Sequence, residues 1–127
     1  MVCQRGIRGR YRILIDELMM LIPHSKLETK VERKKARNEI DELCYQRSCN
    51  NFIYLESRSH KVTELYMWLS KSPAGPSFKF AVSNIHSMQE QKTTGNCLKY
   101  SRPFLSFDGA FDDEKRPFLG LMKEMLS

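Results

Sequence analysis

The stretch from Glu64 to Val82, ELYMWLSKSPAGPSFKFAV, limits what this chain can fold into more than any other. Leu65-Tyr66-Met67-Trp68-Leu69 is an unbroken apolar run that carries the only tryptophan. A short run of this kind, bounded by turn residues, reads as a strand buried on both faces. Phe78, Phe80 and Val82 then alternate with Ser77, Lys79 and Ala81, the period of a strand with one buried face. Between the two, Ser72-Pro73-Ala74-Gly75-Pro76 removes two backbone donors and supplies a glycine free to take positive φ, so the chain must reverse. The reading is a β-hairpin at the centre of a sheet.

Elements on either side can be assigned by period. Tyr11, Leu14, Ile15, Leu18, Leu21 and Ile22 recur at three and four, one apolar stripe of a helix that Pro23 ends. Thr29 and Glu32 have capping-box spacing, and Ala36, Ile40, Leu43 and Cys44 give a thinner stripe on a second helix reaching about Arg47. Phe52-Ile53-Tyr54-Leu55 reads as a short buried strand, and Pro103-Phe104-Leu105-Ser106-Phe107 as another. Between them Ile85 and Met88 are apolar anchors in a polar stretch. The chain finishes in a helix whose Phe118, Leu121, Met122 and Met125 share a face. Helix, helix, strand, hairpin, strand, helix implies an α/β fold, a mixed β-sheet flanked by helices. At 127 residues this is one domain over 1–127, large enough to bury a core.

The charge is placed unevenly. Residues 1–37 hold ten Lys and Arg against four Asp and Glu, and residues 38–127 hold eleven of each, so the first third carries the whole net charge of +6. A polyanionic partner, nucleic acid foremost, is the implied ligand of that end. A solvated helix face is the plainer alternative. Arg5-Gly6-Ile7-Arg8-Gly9-Arg10-Tyr11-Arg12 alternates cations with glycines into a helix start, where backbone amides and guanidinium groups suit phosphate. Two glycines at this spacing recur widely and specify nothing alone.

Other chemistry finds little support. His24, His60 and His86 are far apart in polar settings, and no activating motif accompanies any cysteine. Cys44 and Cys49 have four residues between them and no second pair, which argues against zinc and for a packed thiol beside a turn thiol. No phosphate-binding loop or dinucleotide fingerprint is present, so no cofactor, metal or catalytic residue is expected. The apolar run Leu18 to Ile22 is too short to span a bilayer, and the N-terminus lacks the pattern of a secretory signal, which leaves the cysteines as reduced intracellular thiols. Trp68, Phe78 and Phe80 admit a base-stacking reading, but the continuous apolar run favours core packing. Tyr54 and Tyr100 are the better candidates for exposed aromatics.

RGIRGRYRILIDELMMLIPHSK, CNNFIYLESRSHK, LYMWLSKSPAGPSFKF and TGNCLKYSRPFLSFD resemble, in order, blocks of the Brix-domain ribosome-biogenesis family, closest to its branch acting on the large subunit. The resemblance covers nearly the whole chain, and its last two blocks are long and specific. It implies a nuclear, nucleolar, non-enzymatic factor that binds ribosomal RNA (pre-rRNA) and other large-subunit assembly factors, with no membrane and no small-molecule substrate. It also implies two related halves similar to anticodon-binding domains. Only Met1-Val2-Cys3-Gln4 precedes Arg5-Gly6 where the family has a full apolar strand, and the chain matches the first half of the domain, with the second half absent.

The expected phosphate contacts are Arg5, Arg8, Arg10 and Arg12, then Lys30, Arg33, Lys34 and Arg37, then Lys99 and Arg102 on either side of Tyr100. Such contacts position a nucleic acid without reading its sequence. The alternative is a protein-interaction module that docks an acidic assembly partner on the same basic third.

Overall fold

The computed structural model describes residues 1–4, 7, 9–22, 24–28, 30–32, 34–57, 64–91 and 104–127. Four strands form one mixed sheet in the order β1 (Val2–Cys3), β2 (Asn51–Ser57), β3 (Leu65–Lys71), β4 (Ser77–Val82). β1 runs parallel to β2, while β2–β3 and β3–β4 are antiparallel. The crossover from β1 to β2 contains helices α1 (Arg10–Leu21) and α2 (Ala36–Arg47). Short helix α3 (Met88–Gln91), a 3-10 turn (Gly109–Asp112) and helix α4 (Pro117–Leu126) follow the sheet.

Each helix of the crossover covers one face, because successive strand side chains point to opposite sides. On one face Ile15 of α1, with Tyr11, Leu14 and Met19, packs on Cys3, Leu55, Leu65, Met67 and Val82. On the other, Ala36, Ile40, Leu43 and Cys44 of α2 pack on Val2, Val31, Phe52, Tyr54 and Trp68. Three consecutive residues of β2, Tyr54, Leu55 and Glu56, are therefore buried. α2 ends where Ser48 turns left-handed (φ 52°), and the Cys49 N–H donates to the Cys44 carbonyl at 2.9 Å, closing the last turn.

The hairpin forms as its turn residues require. Gly75 takes φ +86°, and the Lys71 N–H donates to the Pro76 carbonyl at 3.0 Å. The Ser72 hydroxyl donates to Asp41 of α2 at 3.0 Å and ties the turn to that helix. β3 pairs on both edges but is not buried on both faces: Leu65 and Ser70 are buried and Tyr66 to Leu69 are half-buried. The physical reason is that two twelve-residue helices cover the β1–β2 side and leave the β3–β4 side partly bare.

Other expectations need correction. The register pairs Trp68 with Lys79 and Met67 with Phe80, which puts Phe78 and Phe80 on the face opposite Trp68. The three rings form no common platform. Tyr54 is buried under α2, not exposed. Residues 104–107 form no strand, and Phe104 is fully exposed, since among the described residues no strand pairs with them. Pro103 and Tyr100 lie outside the described residues, as does Thr29. Glu32 precedes a turn at Lys34-Lys35, and α2 begins at Ala36 without a side-chain cap, so the capping box does not open that helix.

α4 rests on the preceding 3-10 turn. Lys123 pairs with Asp112 at 2.6 Å, and Phe107 meets Phe111 edge-on at 5.2 Å. Its anticipated face is divided: Met122 and Met125 are half-buried, whereas Phe118 and Leu121 are exposed.

Trp68 leans on the α2 cluster, and its indole N–H donates to the buried Glu56 carboxylate at 2.9 Å. The Lys79 ammonium lies 4.8 Å from the Trp68 ring centroid and 3.5 Å from the same carboxylate. Trp68→Ala is expected to cost about 2–4 kcal/mol, less than for a fully enclosed indole because the ring is half-buried. Thermal unfolding checks this, and an unchanged melting temperature would reduce Trp68 to a surface residue.

Candidate nucleic-acid interface

Strand direction decides where the basic third lies. α1 leaves the carboxyl end of β1 and α2 returns to the amino end of β2, so both helices start at the carboxyl ends of the parallel pair. Helix N-termini present unpaired N–H groups and a partial positive charge. α1 is capped by Gly9 (φ 55°), with no side-chain cap and no acid in its first turn. α2 is capped by Lys35, also without a side-chain cap, and has Glu39 in its first turn.

The segment before α2 closes this end. Val31 bridges Gln4 in parallel, and its N–H donates to the Cys3 carbonyl at 3.1 Å. Lys30 is thereby brought beside β1. Arg12, in the first turn of α1, is near the same place, for both cations act on the Cys3 thiol. Burial raises the pKa of that thiol, and Lys30 and Arg12 pull it partly back down. Arg12, Lys30, Lys34 and Lys35 are all exposed.

Three of the ten expected residues are thus seen in full: Arg12 and Lys30 both lie near Cys3 at the end of β1, and Lys34 sits just before α2. Arg10 is the first residue of α1 and Arg37 the second of α2, which puts their backbones at the same end. Arg5, Arg8, Arg33, Lys99 and Arg102 lie outside the described residues. Lys35 was not anticipated, although the run Arg33-Lys34-Lys35 held the signal. The Glu56–Lys79 pair was also missed, because the two residues are brought together only by the register of three strands.

Among the described residues no group of three or more His, Cys, Asp or Glu is placed to hold a metal ion. No described helix is long and apolar enough to cross a membrane. Cys3, Cys44 and Cys49 are free thiols.

The structure is therefore that of an α/β layer protein whose cationic rim surrounds the carboxyl ends of a parallel strand pair. The Brix domain matches residues 4–127, and the chain belongs to the Brix-domain family. The ribosome biogenesis protein BRX1 homolog of Rattus norvegicus is 55% identical over 122 residues, covering 96% of this chain and 34% of the relative. That of Homo sapiens is 54% identical over 122 residues, covering 96% and 33%. Ribosome biogenesis protein BRX1 of Saccharomyces cerevisiae is 45% identical over 126 residues, covering 99% and 42%. The chain spans about a third to two fifths of the length of these relatives.

Burial raises the pKa of Cys3 and of Cys44, the latter despite a hydrogen bond with Ser72. A thiol that keeps its proton longer in the folded state loses stability for that state as pH rises past the ordinary thiol value. Stability should therefore fall above about pH 9, and the fall should shrink in Cys3→Ser and Cys44→Ser. Urea unfolding from pH 7 to 10 measures it, and an equal fall in the variants would assign the alkaline effect elsewhere.

Proposed function

We propose that this chain acts, without catalysis, in assembly of the large (60S) ribosomal subunit, where its cationic rim binds ribosomal RNA in the nucleolus alongside other assembly factors. The observation that carries the reading is the placement of the exposed Arg12, Lys30, Lys34 and Lys35 at the carboxyl end of β1, where α1 and α2 both begin. Exposed cations beside the positive ends of two helices on one rim suit a phosphate backbone. The names of the relatives, all ribosome biogenesis proteins, support the setting.

Binding of a structured ribosomal RNA helix should weaken linearly in log K against log salt. Replacing Arg12, Lys30 and Lys34 by Ala should flatten that slope by roughly 2 to 3 and weaken all sequences alike. Fluorescence anisotropy across a salt series provides the measurement. An unchanged slope ends the assignment, and retained binding to an acidic protein instead would turn the rim into a protein-docking surface.

The same reading takes residues 1–127 as one domain, the first half of a Brix domain. Supporting it, Phe104, Leu105, Phe118 and Leu121 are exposed together in the last quarter of the chain. Apolar surface of this kind promotes association. The isolated chain should self-associate in sedimentation, and the second half of a relative, supplied separately, should suppress this. A monomer that binds no ANS would show a closed domain.

A further inference from the structure

The end of α2 brings two thiols together. The Ser48 N–H donates to the Tyr45 carbonyl at 3.2 Å, and the Cys49 N–H to the Cys44 carbonyl at 2.9 Å, around the left-handed Ser48 (φ 52°, ψ 45°). This pair of bonds closes a helix so that the first and last side chains of the turn, here Cys44 and Cys49, meet. The 2.9 Å bond holds their Cα atoms within about 7 Å by backbone dimensions alone, and a disulfide spans about 4.4–6.8 Å. A charge on Cys49 is felt at Cys44, as this closeness requires. Both are free thiols.

Their surroundings differ. Cys44 is buried in the α2 cluster and shares a hydrogen bond with Ser72 of the hairpin turn. Cys49 is half-buried, and its thiol donates to the Arg47 carbonyl at 3.5 Å. The Lys26 ammonium donates to the same carbonyl at 3.2 Å, and the Arg47 guanidinium pairs with Glu28 at 2.7 Å. One thiol is thus open to a reagent in solution, and the other lies behind it. Stepwise thiol–disulfide exchange uses such a pair, an accessible attacking sulfur and a second that resolves the mixed disulfide.

We propose that Cys44 and Cys49 form a reversible redox-modification site whose co-substrate is a small-molecule disulfide such as oxidised glutathione. The Cys49 thiol gives its proton to water, and its sulfur attacks one sulfur of the reagent. A mixed disulfide forms and one thiolate leaves. The Cys44 thiol then loses its proton and attacks Sγ of Cys49, forming the Cys44–Cys49 bond and expelling the second thiolate. The two thiolates take up the two protons, so two cysteines are oxidised and one reagent disulfide is reduced to two thiols. In the product the Cys44 sulfur has turned from Ser72 to Cys49. The hairpin turn keeps its bond to Asp41 and the Ser72 N–H bond to the Asn50 carbonyl at 2.8 Å. The bond ties the end of α2 to the start of β2, and the proposal does not depend on the RNA reading.

The test equilibrates the 127-residue chain with glutathione buffers of rising oxidised fraction, followed by acid quench, alkylation and trypsin. Trypsin cuts after Arg47 and separates the two cysteines. Peptides 38–47 and 48–58 should appear joined by a disulfide, in a proportion independent of protein concentration. Cys44→Ser should stop at glutathione on peptide 48–58, and Cys49→Ser should leave peptide 38–47 unmodified, with circular dichroism checking that each variant is folded. The unaltered chain gives the deciding result whether or not the variants fold. A glutathione adduct that persists on its Cys49, a link to Cys3 or Cys97 in place of the expected one, or no oxidation across the series each overturns the proposal.

Discussion

β2 is the strand on which the rest of the structure depends. It is paired on both edges and covered on both faces, and Leu55 at its middle is 1% exposed. A strand in that position requires a parallel partner reached by a crossover and a helix on each side. The crossover here supplies both helices in succession, and each must run back against the strands. Both helix N-termini are thereby forced to one end. Arg12, Lys30, Lys34 and Lys35 are concentrated because of chain direction, not because of any contact among them.

A buried carboxylate governs the other side of the sheet. Glu56 continues the buried segment of β2, yet its side chain is charged and 7% exposed. An isolated carboxylate there would be costly, and the Trp68 indole N–H and Lys79 ammonium supply its partners. Lys79 also covers the rings of Tyr66, at 4.3 Å, and Trp68. The outer faces of Tyr66 and Trp68 are thus taken up by the protein's own cation, which argues against base stacking on these two rings. The group of four stitches β2, β3 and β4 together beside the cluster under α2.

These two features explain what could be read from residues alone. The hairpin was legible because Pro73, Gly75 and Pro76 dictate a turn and the flanking periods differ. α1 was legible because its stripe repeats over three turns. Tyr54 and Trp68 misled in opposite senses: a tyrosine reads as amphipathic and an unbroken run reads as doubly covered. Burial of each depends on how far α2 extends over the sheet, a tertiary fact. Residues 104–107 have the composition of a strand but no described neighbour to pair with, and pairing rather than propensity makes a strand. The cationic third was visible as composition. Its concentration at one end followed from topology, which composition does not contain.

The two ends of β2 are chemically distinct and largely independent. Seven residues at about 3.3 Å each separate them by some 20 Å, against a Debye length of about 8 Å at physiological ionic strength. Charge neutralised at the carboxyl-end rim therefore changes little at Lys26 and Arg47. Any coupling between the ends must pass mechanically through α1 and α2, whose termini reach both. α2 has the firmer anchorage, through Ile40, Cys44 and the Ser72–Asp41 bond to the hairpin turn. The start of α2 is therefore placed by a helix that is held at its middle and near its end.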